Sequence, residues 1–167
     1  MISAIVTVDR NWGIGKNGKQ ITNIPDDARY IRAVTTDGCV IMGRVTYDSI
    51  PEGQLPVNRT NIVLSKRPGF RPQGAVPATS LEEALKIAGE KGTDIYVLGG
   101  GQVFAQMLDM LDEVQVTYID YLYDTDTKFP NLDKRPEWVM VSESEEQTHF
   151  DTIYYRRRYI RRKDYQA

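Results

Sequence analysis

The chain is predicted to fold as a single-domain α/β protein. Its central sheet is mixed and mostly parallel, with antiparallel C-terminal edge strands and helices on both faces. Three observations predict this. Short apolar runs of strand length recur along the chain, helical segments separate the early runs, and the last third carries strand runs with no helix signal between them. Strands that alternate with helices build a parallel sheet covered on both faces, whereas strands that follow one another directly pair antiparallel. A length of 167 residues, 41% hydrophobic and 26% charged, suits one soluble domain spanning 1–167 with a sizeable core.

The elements are expected in this order. Ile2–Val8 is the first strand, followed by a long glycine-bearing segment, Gly13–Asn23, read as a flexible flap. Pro25-Asp26-Asp27 opens a helix through Tyr30, Ile31 and Val34, with proline and acids in the favoured first turn. Cys39–Met42 and Asn61–Leu64 are buried strands, with Pro51–Pro56 and Arg67–Pro77 as loops. Ser80-Leu81-Glu82-Glu83 is a capping box that starts a helix through Leu85 and Ile87. Ile95–Leu98 is a strand, and a helix runs from Gly101 through Val103, Phe104 and Leu108. Val114–Ile119, Trp138–Val141 and Ile153–Ile160 complete the sheet.

Composition excludes several function classes. A net charge of -2 is unlike that of a general nucleic-acid binder. Arg156-Arg157-Arg158, with Arg161, Arg162 and Lys163, forms a basic terminus interleaved with Tyr154, Tyr155 and Tyr159. Acids at Glu143, Glu145, Glu146 and Asp151 offset it, and it reads as an edge strand with charged outer positions. No apolar run approaches the roughly 20 residues of a membrane helix, and the N-terminal run lacks a basic leader. The single cysteine, Cys39, forms no internal disulfide, which points to the cytoplasm, and it reads as core filler. His149 has no partner histidine or cysteine cluster, so no metal site is expected.

Two glycine turns carry the most chemistry. Val40-Ile41-Met42-Gly43-Arg44 runs into Val45-Thr46-Tyr47, and Ile95-Tyr96-Val97-Leu98-Gly99-Gly100-Gly101 runs into Gln102-Val103-Phe104. Each reads as a buried strand, a glycine break and a helix start, a form that lets backbone approach a phosphorylated cofactor closely. Arg44 and the Ser65-Lys66-Arg67 cluster end candidate neighbouring strands. They read either as a clamp for a phosphate monoester, selecting NADP over NAD, or as a solvated charge cluster. Gly13-Ile14-Gly15-Lys16-Asn17-Gly18 spells G-x-G-x-x-G but does not turn directly from strand to helix, so the dinucleotide fingerprint is rejected there. Asp27 lies on the apolar face of its helix while Asp26 falls with Arg29. Asp27 reads either as a dipole-stabilising acid or as a ligand anchor, since a carboxyl on a buried face needs a partner.

With these residues in view, the chain resembles the dihydrofolate reductase family over nearly its whole length. The segments that carry the resemblance are Val8-Asp9-Arg10-Asn11-Trp12-Gly13-Ile14-Gly15, Ile24-Pro25-Asp26-Asp27 and Val40 through Ile50. Leu55 through Ser65, the Gly99-Gly100-Gly101 turn and Asp126-Thr127-Lys128-Phe129-Pro130 complete the set in family order. The resemblance implies reduction of 7,8-dihydrofolate to tetrahydrofolate by hydride transfer from NADPH, within one-carbon metabolism, by an enzyme open to antifolate inhibitors. Size and ordinary surface composition make a monomer the expectation.

The resemblance also implies site residues. Asp27 binds the pterin N3 and 2-amino group, Thr117 braces it, and a water delivers the proton to N5, with Thr22 at the position that helps to hold that water. Ile5, Val6 and Leu98 line the pterin pocket, Ile31, Ile50, Leu55 and Phe104 pack the substrate, and Arg59 pairs with the glutamate carboxylate as a fork. Gly43, Arg44, Val45, Thr46, Leu64, Ser65, Lys66 and Arg67 belong to the NADPH site, as do Gly99, Gly100, Gly101, Gln102, Val103 and Phe104. Thr7, Ile14 and Gly15 complete it, with the flap closing over the nicotinamide. Family members typically join the first two glycines of the turn by a cis peptide. Thr22 departs from the bulky residue usual there, Ile31 from a common aromatic, and Phe104 from a common tyrosine. Thr22 and Ile31 together imply a reshaped pterin pocket with weakened binding of diaminopyrimidine inhibitors. Two other readings share part of the pattern: a related-fold reductase of a pyrimidine intermediate in riboflavin synthesis, and a non-catalytic folate- or nucleotide-binding protein.

Overall fold

Alternating apolar residues set the strands of the computed structural model, which describes residues 1–166. In chain order the elements are β1 (Ile2–Val8), β2 (Gly13–Lys16), β3 (Lys19–Gln20), α1 (Pro25–Thr35), β4 (Cys39–Gly43), α2 (Arg44–Ser49), β5 (Thr60–Leu64) and β6 (Val76–Ala78). There follow α3 (Leu81–Lys91), β7 (Ile95–Gly99), α4 (Gly101–Met107), β8 (Glu113–Ile119), β9 (Thr127–Lys128), β10 (Trp138–Glu143), β11 (Gln147–His149) and β12 (Thr152–Arg161). The main sheet has the order β10-β12-β8-β1-β7-β4-β5-β6, with β11 attached to β12. From β8 to β6 all pairings are parallel, while β12 and β10 add antiparallel strands at one side. The sequence-predicted sheet and its mixed character are thus both present.

Alternation along β1 splits the structure into two layers. Ala4, Val6 and Val8 point into the main core with Ile41, Ile62, Val97 and Val116, beneath Ala84 and Ala88 of α3 and Val103 and Phe104 of α4. Cys39 is fully buried in the same core, where burial pushes its thiol pKa up. On the opposite face, Val40, Met42 and Val63 pack with Tyr47, Ile50, Leu55 and Leu98. Thr7 meets α1 on that face through Asp27. The helices therefore cover both faces, and the face bearing α1 and α2 holds the polar groups described below.

Local chemistry sets the helix starts. α1 begins with Pro25 in its first turn and has no side-chain cap, so Asp26 and Asp27 supply the negative charge its N-terminus favours. The Ser80 side chain accepts from the Glu83 N–H at 3.0 Å. Glu83 in turn accepts the Thr79 N–H, not the Ser80 N–H, which holds its carboxyl below the usual range.

Three expectations need correction. β12, read as an edge strand with charged outer positions, lies inside the sheet between β10 and β8, so both its backbone edges are paired and its arginines divide between the two faces of the sheet. The stretch read as a loop over Arg67–Pro77 ends in β6, a strand too short for alternation to reveal. The flap read as loop begins as a hairpin, β2 to β3, turned through Asn17 and Gly18 at φ 51° and 76°. Asn-Gly is the pair that a two-residue hairpin favours, because both central residues need positive φ. The hairpin docks on β9. The Asp126 N–H donates to Gly15 O, the Asn17 N–H donates to an Asp126 carboxylate oxygen, each at 3.0 Å, and Lys16 pairs with Asp124.

Candidate functional site

Asp27 is the centre of the site. It is 6% exposed, and the first turn of α1 aims it at the sheet. Thr7 and Thr117 are direct neighbours across β1 and β8, so the pleat brings both hydroxyls to the same face. The Thr7 hydroxyl donates to Oδ2 at 2.6 Å and the Thr117 hydroxyl to Oδ1 at 2.6 Å. A third donor comes from β12. Arg156 pairs with Thr117 in the strand register, and its Nη1 donates to Asp27 Oδ1 at 2.9 Å. The guanidinium also lies 4.1 Å from the centre of the Tyr30 ring and 5.8 Å from that of Tyr154. Burial pushes the Tyr30 phenol up in pKa, and the charge of Arg156 partly opposes the shift. Tyr30 donates its hydroxyl proton to the Gln115 side chain.

Apolar side chains flank this carboxylate. Ile5 is buried, and Ile31, Ile50, Leu55 and Leu98 are partly buried, with Ile50, Leu55 and Leu98 joined in one cluster. At the far end of α1 stands Arg59. Its Nη1 donates to Thr35 Oγ1 at 2.8 Å and its Nε to Asn61 Oδ1 at 2.7 Å, while Asn61 is tied to Pro56 O. Burial, and then the like charge of Arg32, lower the Arg59 pKa to about 10, which leaves it cationic at neutral pH. The site thus has an anionic partner at one end, an apolar middle and a fixed cation at the other.

The two glycine turns meet. Gly43 pairs with Leu64 across β4 and β5, so Arg44 and Ser65 leave adjacent strands side by side. Met42 pairs with Gly99 across β4 and β7. A Cβ on Gly43 would sit 3.3 Å from Val103 Cγ2 and 3.7 Å from both Gly100 N and Gly99 O. The Gly99–Gly100 peptide is cis. Gly99 has φ +110°, and a Cβ there would meet the Phe104 ring at 2.9 Å, so only glycine fits. Thr46 Oγ1 lies 3.6 Å from the Cβ position of Gly100, and Ile14 Cδ1 lies 3.8 Å from that of Gly101. The flap also reaches α2: Val45 Cγ1 lies 3.3 Å from the Cβ position of Gly18. Lys66 and Arg67 are exposed, Arg44 pairs with Asp48 at 2.7 Å, and Ser65 Oγ accepts from the Arg67 N–H at 3.1 Å.

Other sequence-predicted residues are placed as follows. Thr22 is partly buried between β3 and α1. Gly15 is buried in the flap hairpin. The Thr7 hydroxyl faces Asp27. Val6, Val103 and Phe104 send their side chains into the main core, on the face away from Asp27, and Gln102 is exposed. Sequence reasoning missed Arg156. The signal that finds it is register, since only the pairing of β12 with β8 shows that Arg156 shares a face with Thr117.

Three comparisons bear on this geometry. Residues 1–162 match a family model described as "Dihydrofolate reductase". A dihydrofolate reductase of Bacillus subtilis is 33% identical over 142 residues, covering 85% of this chain and 82% of that protein. A type 3 dihydrofolate reductase of Salmonella typhimurium is 36% identical over 131 residues, covering 78% and 79%. Among solved structures, a dihydrofolate reductase from Enterococcus faecalis complexed with NADP(H) and RAB-propyl superposes with a TM-score of 0.85. That match has 28% identity and covers 97% of this chain and 96% of that one.

Proposed function

The chain belongs to the dihydrofolate reductase family, and on that footing we propose how its residues divide the work. It is an NADPH-dependent enzyme that reduces 7,8-dihydrofolate to tetrahydrofolate. The observation that carries the residue assignment is the buried Asp27 carboxylate held between two threonine hydroxyls. A pterin presents N3–H and a 2-amino group on one edge, a two-donor pattern that a carboxylate accepts in parallel. A buried anion there also favours positive charge developing on the ring, which assists protonation. N5 is distant from Asp27, so a water delivers the proton, and the Thr22 hydroxyl orients it. Thr117 positions Asp27, Ile5 and Leu98 line the pterin ring, and Ile31, Ile50 and Leu55 pack the rest of the substrate. Arg59 takes the glutamate carboxylate, and its ties to Thr35 and Asn61 hold the fork in place before substrate arrives.

The glycine turns fit the cofactor because they end neighbouring strands with backbone packed close to backbone and no Cβ between the two turns. When bound, NADPH supplies the hydride. Gly43, Gly99, Gly100 and Gly101 admit its close approach, and Arg44, Thr46, Ser65, Lys66 and Arg67 offer cationic and hydroxyl partners for phosphate. Val45, Leu64, Gln102 and Ile14 flank that groove, and the docked flap, with Gly15 at its base, excludes water.

The test is decay of the reduced-nicotinamide absorbance band. Oxidation of NADPH is expected only with dihydrofolate present and is expected to fall sharply in Asp27→Asn. Oxidation that ignores dihydrofolate overturns the proposal. A pyrimidine-intermediate reductase has no use for Asp27 and Arg59 as a pair. A monomer in the cytoplasm completes the reading; no helix among the described residues is long and apolar enough to cross a membrane.

A further inference from the structure

The Asp27 carboxylate has more protein donors than a substrate-gripping anion needs. A carboxylate offers about four lone-pair sites. Thr7, Thr117 and Arg156 fill three of them. A pterin or pyrimidine edge brings two donors, one to each oxygen; Oδ2 accepts from Thr7 alone, whereas Oδ1 already accepts from Thr117 and Arg156, so one of those two must yield. The Thr117 hydroxyl is a rotor and can turn away from Oδ1 as the ligand docks. Arg156 is fixed. Beyond Asp27, its Nη1 is 3.4 Å from Thr117 Oγ1, its Nη2 is 3.5 Å from Asp26 O, and its Cζ lies over the Tyr30 ring at 4.1 Å and 5.8 Å from the centre of the Tyr154 ring. Among the described residues no other carboxylate pairs with it: Asp26 pairs with Arg29, and Glu113 pairs with Arg158. The anion that meets the ligand is therefore half of an ion pair, and its attraction for a cation is offset in part rather than abolished.

We propose that Arg156 is a specificity-determining residue that makes the pocket discriminate against ligands bound as cations while accepting neutral 2-amino-4-oxo rings. This rests on the reading of Asp27 as the pterin anchor. A 2-amino-4-oxo ring presents N3–H and NH2 to the carboxylate without charge. A 2,4-diaminopyrimidine presents the same two donors only after its ring nitrogen takes up a proton. Its positive charge would lie about 6 Å from the guanidinium, across the shared carboxylate. At an effective dielectric of about 20 that repulsion is worth on the order of a hundredfold in affinity. Arg156 keeps 24% of its side-chain exposure, so solvent screening reduces this to about tenfold.

The test uses a matched pair, 2,4-diamino-5-benzylpyrimidine and its 2-amino-4-oxo counterpart, titrated calorimetrically into the full chain saturated with NADPH. In Arg156→Gln the diamino compound is expected to bind about tenfold tighter, while the oxo compound changes less than threefold. Arg156→Lys keeps the charge and is expected to follow the wild type. Equal shifts for both compounds, or none, overturn the proposal. Turnover of dihydrofolate by the wild type reports separately on the activity. Failure there with discrimination intact removes the assigned reaction, and normal turnover with equal shifts removes only the filter.

Discussion

Replacing Asp27 with asparagine separates what the carboxylate does for the fold from what it does for the reaction. The side chain keeps its shape but loses its charge and one acceptor. In the wild type three donors converge on it, at 2.6, 2.6 and 2.9 Å. The asparagine oxygen can still accept from Thr117 and Arg156, while its amide group faces Thr7, whose hydroxyl can rotate to accept. The chief structural loss is therefore the charge opposite Arg156. Breaking a fully buried ion pair costs about 3–5 kcal/mol. Arg156 retains 24% exposure, so water recovers much of that, and about 1–2 kcal/mol of stability is expected to go. The catalytic loss is larger. Removing one preorganised group that opposes transition-state charge costs about 100- to 1,000-fold, or about 3–4 kcal/mol. Steady-state kcat/KM at pH 7 with saturating NADPH, set beside urea unfolding of the same preparations, reads both quantities. A variant that keeps more than a tenth of wild-type kcat/KM would refute the reasoning, because the anchor would then be dispensable to the chemistry. A variant whose loss of stability matches its loss of activity would also refute it.

Four further outcomes follow from the geometry. Gly99→Ala puts a Cβ 2.9 Å from the Phe104 ring at φ +110°, so thermal unfolding should show a loss of about 2–3 kcal/mol, with weakened NADPH binding. Asp126→Ala removes the acceptor of the Asn17 N–H and of the Thr127 hydroxyl, so amide exchange at Asn17 should quicken and kcat/KM should fall several-fold as the flap loosens. Arg59→Lys loses the fork held by Thr35 and Asn61, so the KM for dihydrofolate should rise about tenfold with kcat nearly unchanged, as steady-state kinetics would read. Burial first, and then the bond to Asp133, hold the Tyr159 phenol above its ordinary pKa of 10. A raised folded value means that its stabilisation is whole below about pH 10 and is lost as pH climbs towards that value, so Tyr159→Phe should flatten the alkaline limb of a urea-unfolding pH series.

The readable parts of the fold were those with long apolar periodicity. The strands at Ile2–Val8, Cys39–Gly43 and Glu113–Ile119 bury most of their residues, and their runs are plain in the chain. Asp27 was readable as the polar residue on the apolar face of α1, and Asp26 as its solvated neighbour, now paired with Arg29. The hairpin of β2 and β3 was harder, because Lys16, Lys19 and Gln20 are exposed and carry no alternation; the Asn17-Gly18 turn was its one local signal. β9 and β11 have two and three residues and exist only through their partners. Arg156 was misread for the same reason. Three consecutive arginines look like a solvated run until a neighbouring strand sorts them. Arg157 turns to the opposite face and stacks 3.9 Å from the Tyr118 ring, while Arg156 turns towards Asp27 and Arg158 to Glu113.

That sorting links the last strand to the first turn of the first helix. The parallel half of the sheet, from β8 to β6, brings Thr7, Thr117 and the two glycine turns together at the C-terminal ends of its strands. It leaves the Asp27 carboxylate facing a surface with hydroxyls but no cation. β12 covers the open side of β8 and, in the same pairing, delivers Arg156 beside Thr117. A carboxylate buried alone is costly, and one with an adjacent cation is not. Sheet closure at the C-terminal side and charge balance at the substrate pocket therefore depend on one register. A slip of a single residue along β12 would turn Arg156 into the core and leave Asp27 with threonines alone.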